Sequence, residues 1–293
     1  MSTNTLHIKC IKCGSADLAP LTRYSNSNLT SCKSCDFIFC KGIPSEQTLL
    51  DYYENNYQRT NYFSPITRAR YNHLLDKFES KRKTNRILDI GCGHGFFLEV
   101  AKERGWEVYG TELSNKAIED CELKEIQMHK GRILESTYEE NTFDIVVSIE
   151  MIEHINYPKE YVKIIQRILR KGGQCYITTP NFNSLLRYYL KEKYDVIEYP
   201  NHLCYYTKKS LSSLFHENGL KPAYIKTTGV SFTRFRTSKG KSNQEYVSET
   251  SDDEMVRYKI EKNGFLRFGK KAINGILNLF KVGDSIKASF IKD

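Results

Sequence analysis

The sequence predicts an α/β protein: a parallel β-sheet covered by helices on both faces, preceded by a small unit stapled through cysteines. Three observations carry this reading. Short apolar runs alternate with helical stretches between residues 86 and 179 over short links, the pattern of strands feeding crossover helices. A glycine cluster, Gly91-Cys-Gly-His-Gly95, stands where the first of these runs turns into a helix. Two Cys-x2-Cys pairs, Cys10/Cys13 and Cys32/Cys35, fall within residues 1–43, a stretch with too few large apolar side chains to hold a core of its own.

The elements follow in order. Residues 44–84 are rich in Tyr and charge, and Ser45 opens the stretch in an N-cap context, so a helical linker is expected there. Arg86–Ile90 reads as a strand, Phe96–Glu103 as the helix behind the glycines, Trp106–Thr111 as a strand and Lys116–Glu122 as a helix. Phe143–Ser148 (strand), Tyr161–Leu169 (helix) and Gln174–Thr179 (strand) complete the alternating part. Beyond it, Lys208–Asn218 is an amphipathic helix stopped by Gly219, and Ala223–Thr228 is a strand. Residues 236–262 are polar without aliphatic periodicity and read as a flexible insertion. Phe265–Phe280 returns to helical spacing, and Ser285–Ile291 is a closing strand. The chain thus divides into 1–43, a helical lid or linker at 44–84, and a main domain at 85–293.

Composition narrows the class. At 40% hydrophobic and 27% charged residues over 293 positions, the chain is neither disordered nor collagen-like. No apolar run reaches the ~18 residues of a membrane span. The start, MSTNTLHIKC, lacks the basic-then-apolar pattern of a secretory signal, so a cytoplasmic location is expected. The net charge of +9 suits a phosphorylated, nucleic-acid or membrane-surface partner, and equally a merely basic soluble enzyme.

Nine cysteines without a secretory signal argue against a disulfide framework. Cys10, Cys13, Cys32 and Cys35, with eighteen residues between the pairs, match a four-thiolate zinc site, a zinc ribbon. Four thiolates close the tetrahedral shell, so such a zinc is structural and supplies folding energy. Cys40 lies outside the paired spacing.

At the glycine turn, Gly91, Gly93 and Gly95 let a ligand lie against the backbone, and the helix N-terminus beyond offers N–H groups to an anionic end. Glu112, about 20 residues on at the end of the next strand, is placed to accept from both hydroxyls of a ribose. The acid within the strand (Leu88-Asp89-Ile90-Gly91), Phe143-Asp144 opening the fourth strand and Glu153-His154 closing it together resemble the class I S-adenosylmethionine-dependent methyltransferases, over roughly residues 85–230. That resemblance implies a Rossmann-like, seven-stranded, mostly parallel sheet with an antiparallel last strand, and S-adenosylmethionine as cofactor. It implies cofactor contacts from Asp89, Gly91, Cys92, Gly93 and Gly95, with Gly91 and Gly93 beside the methionine part. Glu112 would bind the ribose, Leu113 would flank the adenine, and Ser148 would line the site from the fourth strand. Many relatives carry an Asp near the adenine amine where this chain reads Gly131-Arg-Ile-Leu134; backbone groups around Leu134 would serve there. The ribbon, with the Tyr-rich stretch Leu50-Asp-Tyr-Tyr-Glu-Asn-Asn-Tyr57, is similar to the short ribbon that precedes methyltransferase domains in bacterial surface-glycan and sugar-tailoring clusters. By that likeness it would act as a lid, with Tyr57 and Tyr62 as lid residues; Tyr at this spacing also fits plain packing.

Ser148-Ile-Glu-Met-Ile-Glu-His-Ile155 follows the fourth strand at the ligand-binding edge of such a sheet. A helical turn there would put Glu150 and Glu153 on one face with His154 adjacent. The motif resembles the metal-binding motif of ubiquinone-type O-methyltransferases and of small-RNA terminal 2′-O-methyltransferases. In the latter a second histidine comes in after the fifth strand, and Tyr199-Pro-Asn-His202-Leu offers His202. Three readings stay open: a Mg²⁺, Mn²⁺ or Zn²⁺ site of Glu150, Glu153, His154 and His202; a metal-free site with His154 or His202 as base; or a structural Glu–His pair. The expected activity is O-methylation of a sugar hydroxyl on a nucleotide sugar or surface polysaccharide. RNA 2′-O-methylation and an inactive binding module are the alternatives. The C-terminal helix carries Phe265, Phe268, Ala272, Ile273, Ile276 and Phe280 at helical spacing, flanked by Arg267, Lys270 and Lys271. It reads as packed on the sheet, with peripheral membrane contact as the alternative.

Overall fold

The computed structural model describes residues 5–45, 47–49, 62–231, 235 and 252–293. Five short strands make the N-terminal unit: β1 (Thr5–Leu6), β2 (Leu18–Pro20), β3 (Leu29–Cys32), β4 (Ile38–Cys40) and β5 (Gly42–Ile43). Helix α1 (Pro65–Phe78) follows, begun by Ser64, whose hydroxyl accepts from the Thr67 N–H, and by Pro65 in its first turn. The alternating part is β6 (Arg86–Ile90), α2 (Phe96–Glu103), β7 (Glu107–Glu112), α3 (Asn115–Glu122), β8 (Gln127–Lys130), β9 (Phe143–Ile149), α4 (Pro158–Ile168) and β10 (Leu169–Pro180). Then come α5 (Leu185–Leu190), β11 (Cys204–Tyr205), α6 (Lys208–His216), β12 (Leu220–Thr228), α7 (Asp252–Lys262), α8 (Gly264–Leu279) and β13 (Ser285–Lys292).

The main sheet has seven strands in the order β12-β13-β10-β9-β6-β7-β8. β10, β9, β6, β7 and β8 run parallel, and β13 runs antiparallel to both of its neighbours. Strand alternation divides the core. Leu88, Val146 and Ile177 face one cluster with α4 and α6, while Ile87, Ile145 and Val147 face another with α1 and α2. β8, implied by the resemblance as a third strand before Gly131, has no periodic signal of its own: Gln127-Met-His-Lys130 is an edge strand paired to β7, half-covered and without an apolar run. The expected insertion at 236–262 is corrected over its last eleven residues, which form α7, with Lys259 and Lys262 in the last turn where the helix dipole favours cations. Residues 236–251, and the lid residue Tyr57, lie outside the described residues. α8 buries only Leu277 along its length, so the expectation of a helix packed on the sheet by its apolar side is also corrected.

One buried carboxylate ties the chain entering β6 to the start of β9. Asp144, fully buried, accepts from the Lys83 N–H at 2.7 Å and the Asn85 N–H at 2.8 Å, and pairs with Arg170. Burial alone would raise its pKa; the backbone donors and Arg170 prevail and hold it below the usual carboxylate range. Its contribution is therefore complete above the unfolded-chain pKa of about 3.9 and is lost as pH falls through the lower folded value. Asp144→Asn, which leaves Arg170 without its anion, is expected to cost about 3–5 kcal/mol in urea melts at pH 7. That deficit should shrink as both proteins are melted at falling pH, whereas a pH-independent deficit would contradict this account.

Candidate active site

The carboxyl ends of β6, β7, β9 and β10 share one edge of the sheet, and the chain segments that leave those ends build the site. Gly91, Gly93 and Gly95 all have positive φ (74°, 54° and 70°). A Cβ on Gly91 would stand 2.7 Å from Met151 Sδ, and one on Gly95 would stand 2.7 Å from Ile126 Cδ1, so a side chain there would both strain the left-handed backbone and displace a packed neighbour. The Thr111 carbonyl accepts from the Gly91 and Cys92 N–H groups, and His94 Nδ1 meets Asp120 Oδ2 at 2.5 Å. This last pair pins the turn to α3; it joins two elements, and no local spacing announces it. Gly95 starts α2 without a side-chain cap, which leaves its first turn oriented for an anionic group.

Glu112 ends β7 half-buried. Its Oε2 accepts from the Gly93 N–H at 3.0 Å, and its Oε1 accepts from the N–H groups of Leu113 and Ser114 at 2.7 and 3.2 Å. The carboxylate is thus held across the glycine turn by backbone alone. Asp89 is buried beneath the turn. Cys92 lies half-buried beside Cys121, which together with burial pushes its thiol pKa well up and keeps it neutral. Leu113 is half-buried next to Glu112, while Leu134 is exposed and its N–H donates to Thr137 Oγ1. Ser148 is corrected: it is fully buried and accepts a 2.8 Å hydrogen bond from the Tyr161 hydroxyl, so its side chain belongs to the core under α4 and does not line the cleft. Phe63, which sequence reasoning passed over, stacks on Phe96 at the start of α2 (4.6 Å, 5°) and brings the chain after half-buried Tyr62 alongside the turn.

Beyond β9, a short 3-10 turn (Ile152–His154) presents Glu153 and His154. Ligand atoms of Glu153, His154 and His202 all lie within 4.8 Å of one another. Glu150 is outside this group, correcting the four-ligand expectation. It sits just past β9 with φ 52°, before the turn begins, so the helical spacing that would align it with Glu153 never forms. Glu153 is 2% exposed and accepts from Thr179 Oγ1 at 2.9 Å. His154 Nδ1 lies 2.7 Å from the Asn201 carbonyl, and His202 Nδ1 lies 2.6 Å from the Val196 carbonyl. A carbonyl only accepts, so each ring carries its proton on Nδ1 and, when neutral, its lone pair on Nε2. This is the arrangement of a ligating or proton-accepting imidazole oriented by the backbone. A cavity of about 10 Å³, the space of one water or one bare ion, borders Glu153, Asn181 and His202.

The ribbon reaches this cluster directly. β4 pairs antiparallel with β11, immediately after His202, making a four-stranded sheet β11-β4-β3-β2. The Cys40 N–H donates to the Leu203 carbonyl at 2.8 Å, and the Cys40 thiol and the Tyr205 hydroxyl both donate to the His202 carbonyl. At the ribbon's other end Cys10, Cys13, Cys32 and Cys35 converge, with Sγ separations of 3.7 Å (Cys10–Cys35) and 3.5 Å (Cys13–Cys32), and all four are free thiols.

The strand order, the glycine turn after β6 and the acid closing β7 define the fold of the class I S-adenosylmethionine-dependent methyltransferases. A family model for the methyltransferase domain matches residues 59–224, more than half of the chain, and the protein belongs to that family. Among its relatives, an uncharacterized protein of Methanocaldococcus jannaschii is 35% identical over 114 residues (39% of this chain, 48% of that protein). The ubiquinone biosynthesis O-methyltransferase of Idiomarina loihiensis is 31% identical over 107 residues (33% of this chain, 43% of that protein). The chain thus spans less than half the length of these relatives. The crystal structure of a SAM-dependent methyltransferase from Archaeoglobus fulgidus superposes with a TM-score of 0.54 at 20% identity, covering 85% of this chain and all of that one.

Proposed function

We propose that the protein is an S-adenosylmethionine-dependent O-methyltransferase acting on an alcohol hydroxyl, with a sugar of a nucleotide sugar or surface polysaccharide as the acceptor. The observation that carries this reading is the cluster of Glu153, His154 and His202 at the same sheet edge as the glycine turn and Glu112. The sugar assignment rests on the likeness of the ribbon and Tyr-rich stretch to sugar-tailoring enzymes.

The residues at the edge fit the cofactor. Glu112, fixed by backbone donors with one of them on Oε2, is set to accept from ribose hydroxyls. The turn at Gly91–Gly95 and the uncapped start of α2 would take the methionine end. When bound, the cofactor supplies an activated methyl group that needs in-line placement and no further activation. The obstacle left to the protein is the acceptor hydroxyl, a poor nucleophile while it keeps its proton. Nε2 of His154 or His202 can accept that proton, and the same two nitrogens with a Glu153 oxygen form a two-imidazole, one-carboxylate set. Imidazole donors favour Mn²⁺ or Zn²⁺ over Mg²⁺, which prefers oxygen, and a divalent ion there would stabilise the alkoxide.

The four ribbon sulfurs fit zinc. Zn–S bonds of about 2.3 Å give a tetrahedral edge of about 3.8 Å, close to the 3.5 and 3.7 Å separations found. One zinc per chain would be structural.

Four measurements test these assignments. Calorimetry should show S-adenosylmethionine binding, weakened in Glu112→Ala by about 1.5–3 kcal/mol; a wild type that does not bind refutes the activity. Labelled-methyl transfer should be assayed against nucleotide sugars, glycans and short RNAs. Transfer to sugars is expected, with His154→Ala or His202→Ala slower by ~10²–10⁴; robust transfer to RNA termini instead would replace the sugar reading. A chelator mild enough to spare the ribbon separates the two roles of the histidines, since it stops a metal-assisted reaction and leaves a metal-free base untouched. Finally, protein purified without added metal should contain one zinc, and Cys32→Ser should lose it along with thermal stability.

A further inference from the structure

Helix α8 is amphipathic, and it is docked by its polar side. At ~100° per residue its apolar side chains fill roughly half the circumference, while Arg267, Lys270, Lys271, Asn274 and Asn278 fill the rest. The polar side meets the sheet. Asn278 Oδ1 accepts from the Thr227 N–H at 3.0 Å, Asn274 Oδ1 accepts from the Gly229 N–H at 2.8 Å, and the Leu277 carbonyl accepts from Thr227 Oγ1 at 3.0 Å. Those three bonds to the end of β12 fix the helix's rotation. The apolar side is consequently turned outward: Phe265, Phe268, Ile273, Ile276, Leu279 and Phe280 are each 56–82% exposed. Folded soluble proteins seldom leave so continuous an apolar face in water without a use for it.

We propose that α8 binds the surface of an anionic bilayer and seats the site edge on it. The occupant follows from charge. Lys271 borders the apolar arc on one side and Lys270, which also pairs with Glu261 of α7 at 2.7 Å, on the other, with Arg267 on the polar side and Lys281 just past the helix end. Long basic side chains flanking an apolar face reach anionic headgroups while the face enters the acyl boundary. The net charge of +9 adds attraction to such a surface. Among the described residues no helix is long and apolar enough to cross a membrane, so the contact is interfacial. The placement is functional as well: β12 runs parallel to β10, so its Thr228 end lies at the carboxyl edge that carries the candidate site. An acceptor held at a membrane surface would be presented to that edge.

The test is flotation of the full-length protein with vesicles of phosphatidylcholine alone and of phosphatidylcholine with phosphatidylglycerol. Binding to the anionic vesicles is expected, weakening with salt, and weaker by about tenfold or more on neutral ones. Phe268→Glu with Ile276→Glu should abolish flotation while leaving the melting temperature and cofactor affinity unchanged, because both side chains are already in water. No flotation on anionic vesicles, equal flotation on both compositions, or a wild-type dimer by light scattering that the same substitutions dissociate would each overturn the proposal; the last would give the face to a second copy. The readout needs no turnover, so it stands or falls separately from the methyl-transfer reading.

Discussion

The short antiparallel pairing of Ile38–Cys40 with Cys204–Tyr205 is the constraint on which the candidate site rests. Residues 181–203 form a long excursion outside the main sheet, and loop entropy opposes holding any one residue of such a segment in place. Here the segment is caught from both sides. The ribbon takes the Leu203 carbonyl through the Cys40 N–H, and the 3-10 turn takes the Leu203 N–H through the Glu153 carbonyl at 2.8 Å. The His202 backbone is therefore fixed one residue from a bridge between ribbon and turn, and the bond of its Nδ1 to the Val196 carbonyl orients the ring beside His154. Phe37, Phe39, Cys10 and Cys32 pack in the same apolar cluster as Ile152 and Tyr206, so the ribbon's core is continuous with the core beneath the turn. A metal that folds the ribbon would thereby also order the loop that carries a candidate catalytic histidine.

What could be read beforehand follows from which signals are local. The apolar runs at 86–90 and 143–148 and the helix at 96–103 obey the periods of strand and helix, and the structure returns them within a residue or two. β8 carries no such period because an edge strand buries little. Glu153 and His154 could be nominated by residue type and by resemblance. Their convergence with His202 could not be derived from spacing, because it depends on the β4–β11 pairing between segments more than 150 residues apart. Glu150 failed where a local rule was extended one turn too far: the backbone leaves β9 through a left-handed residue before any helix starts. Ser148 failed by strand parity, since it points to the α4 side, where Tyr161 meets it.

The terminal helix shows the same limit more sharply. Its sequence declares an apolar half and a polar half, and the ordinary inference that the apolar half faces the protein is a statement about burial energy. Here β12 presents backbone N–H groups at Thr227 and Gly229 that need acceptors, and Asn274 and Asn278 provide them. Thr227 is buried, so an unmet N–H there would cost on the order of 1–3 kcal/mol, and its bond to Asn278 together with that of Gly229 to Asn274 holds the helix with its polar half inward.

That orientation is transmitted to the site through a rigid link. Past α8 the chain passes Lys281 and Gly283 into β13, and Asn181, the residue following β10, donates through Nδ2 to the carbonyls of both, at 3.0 and 2.7 Å. Gly283 approaches β12 so closely that a Cβ would stand 2.5 Å from the Thr228 nitrogen, which leaves the link no slack. Asn181 is 1% exposed and borders the small cavity shared with Glu153 and His202. The end of the helix, the Asn181 corner and the Glu–His cluster are therefore joined by a continuous run of hydrogen bonds and close contacts. A surface resting against α8 would thereby be linked, through Asn181, to the edge from which an acceptor would approach His154 and His202.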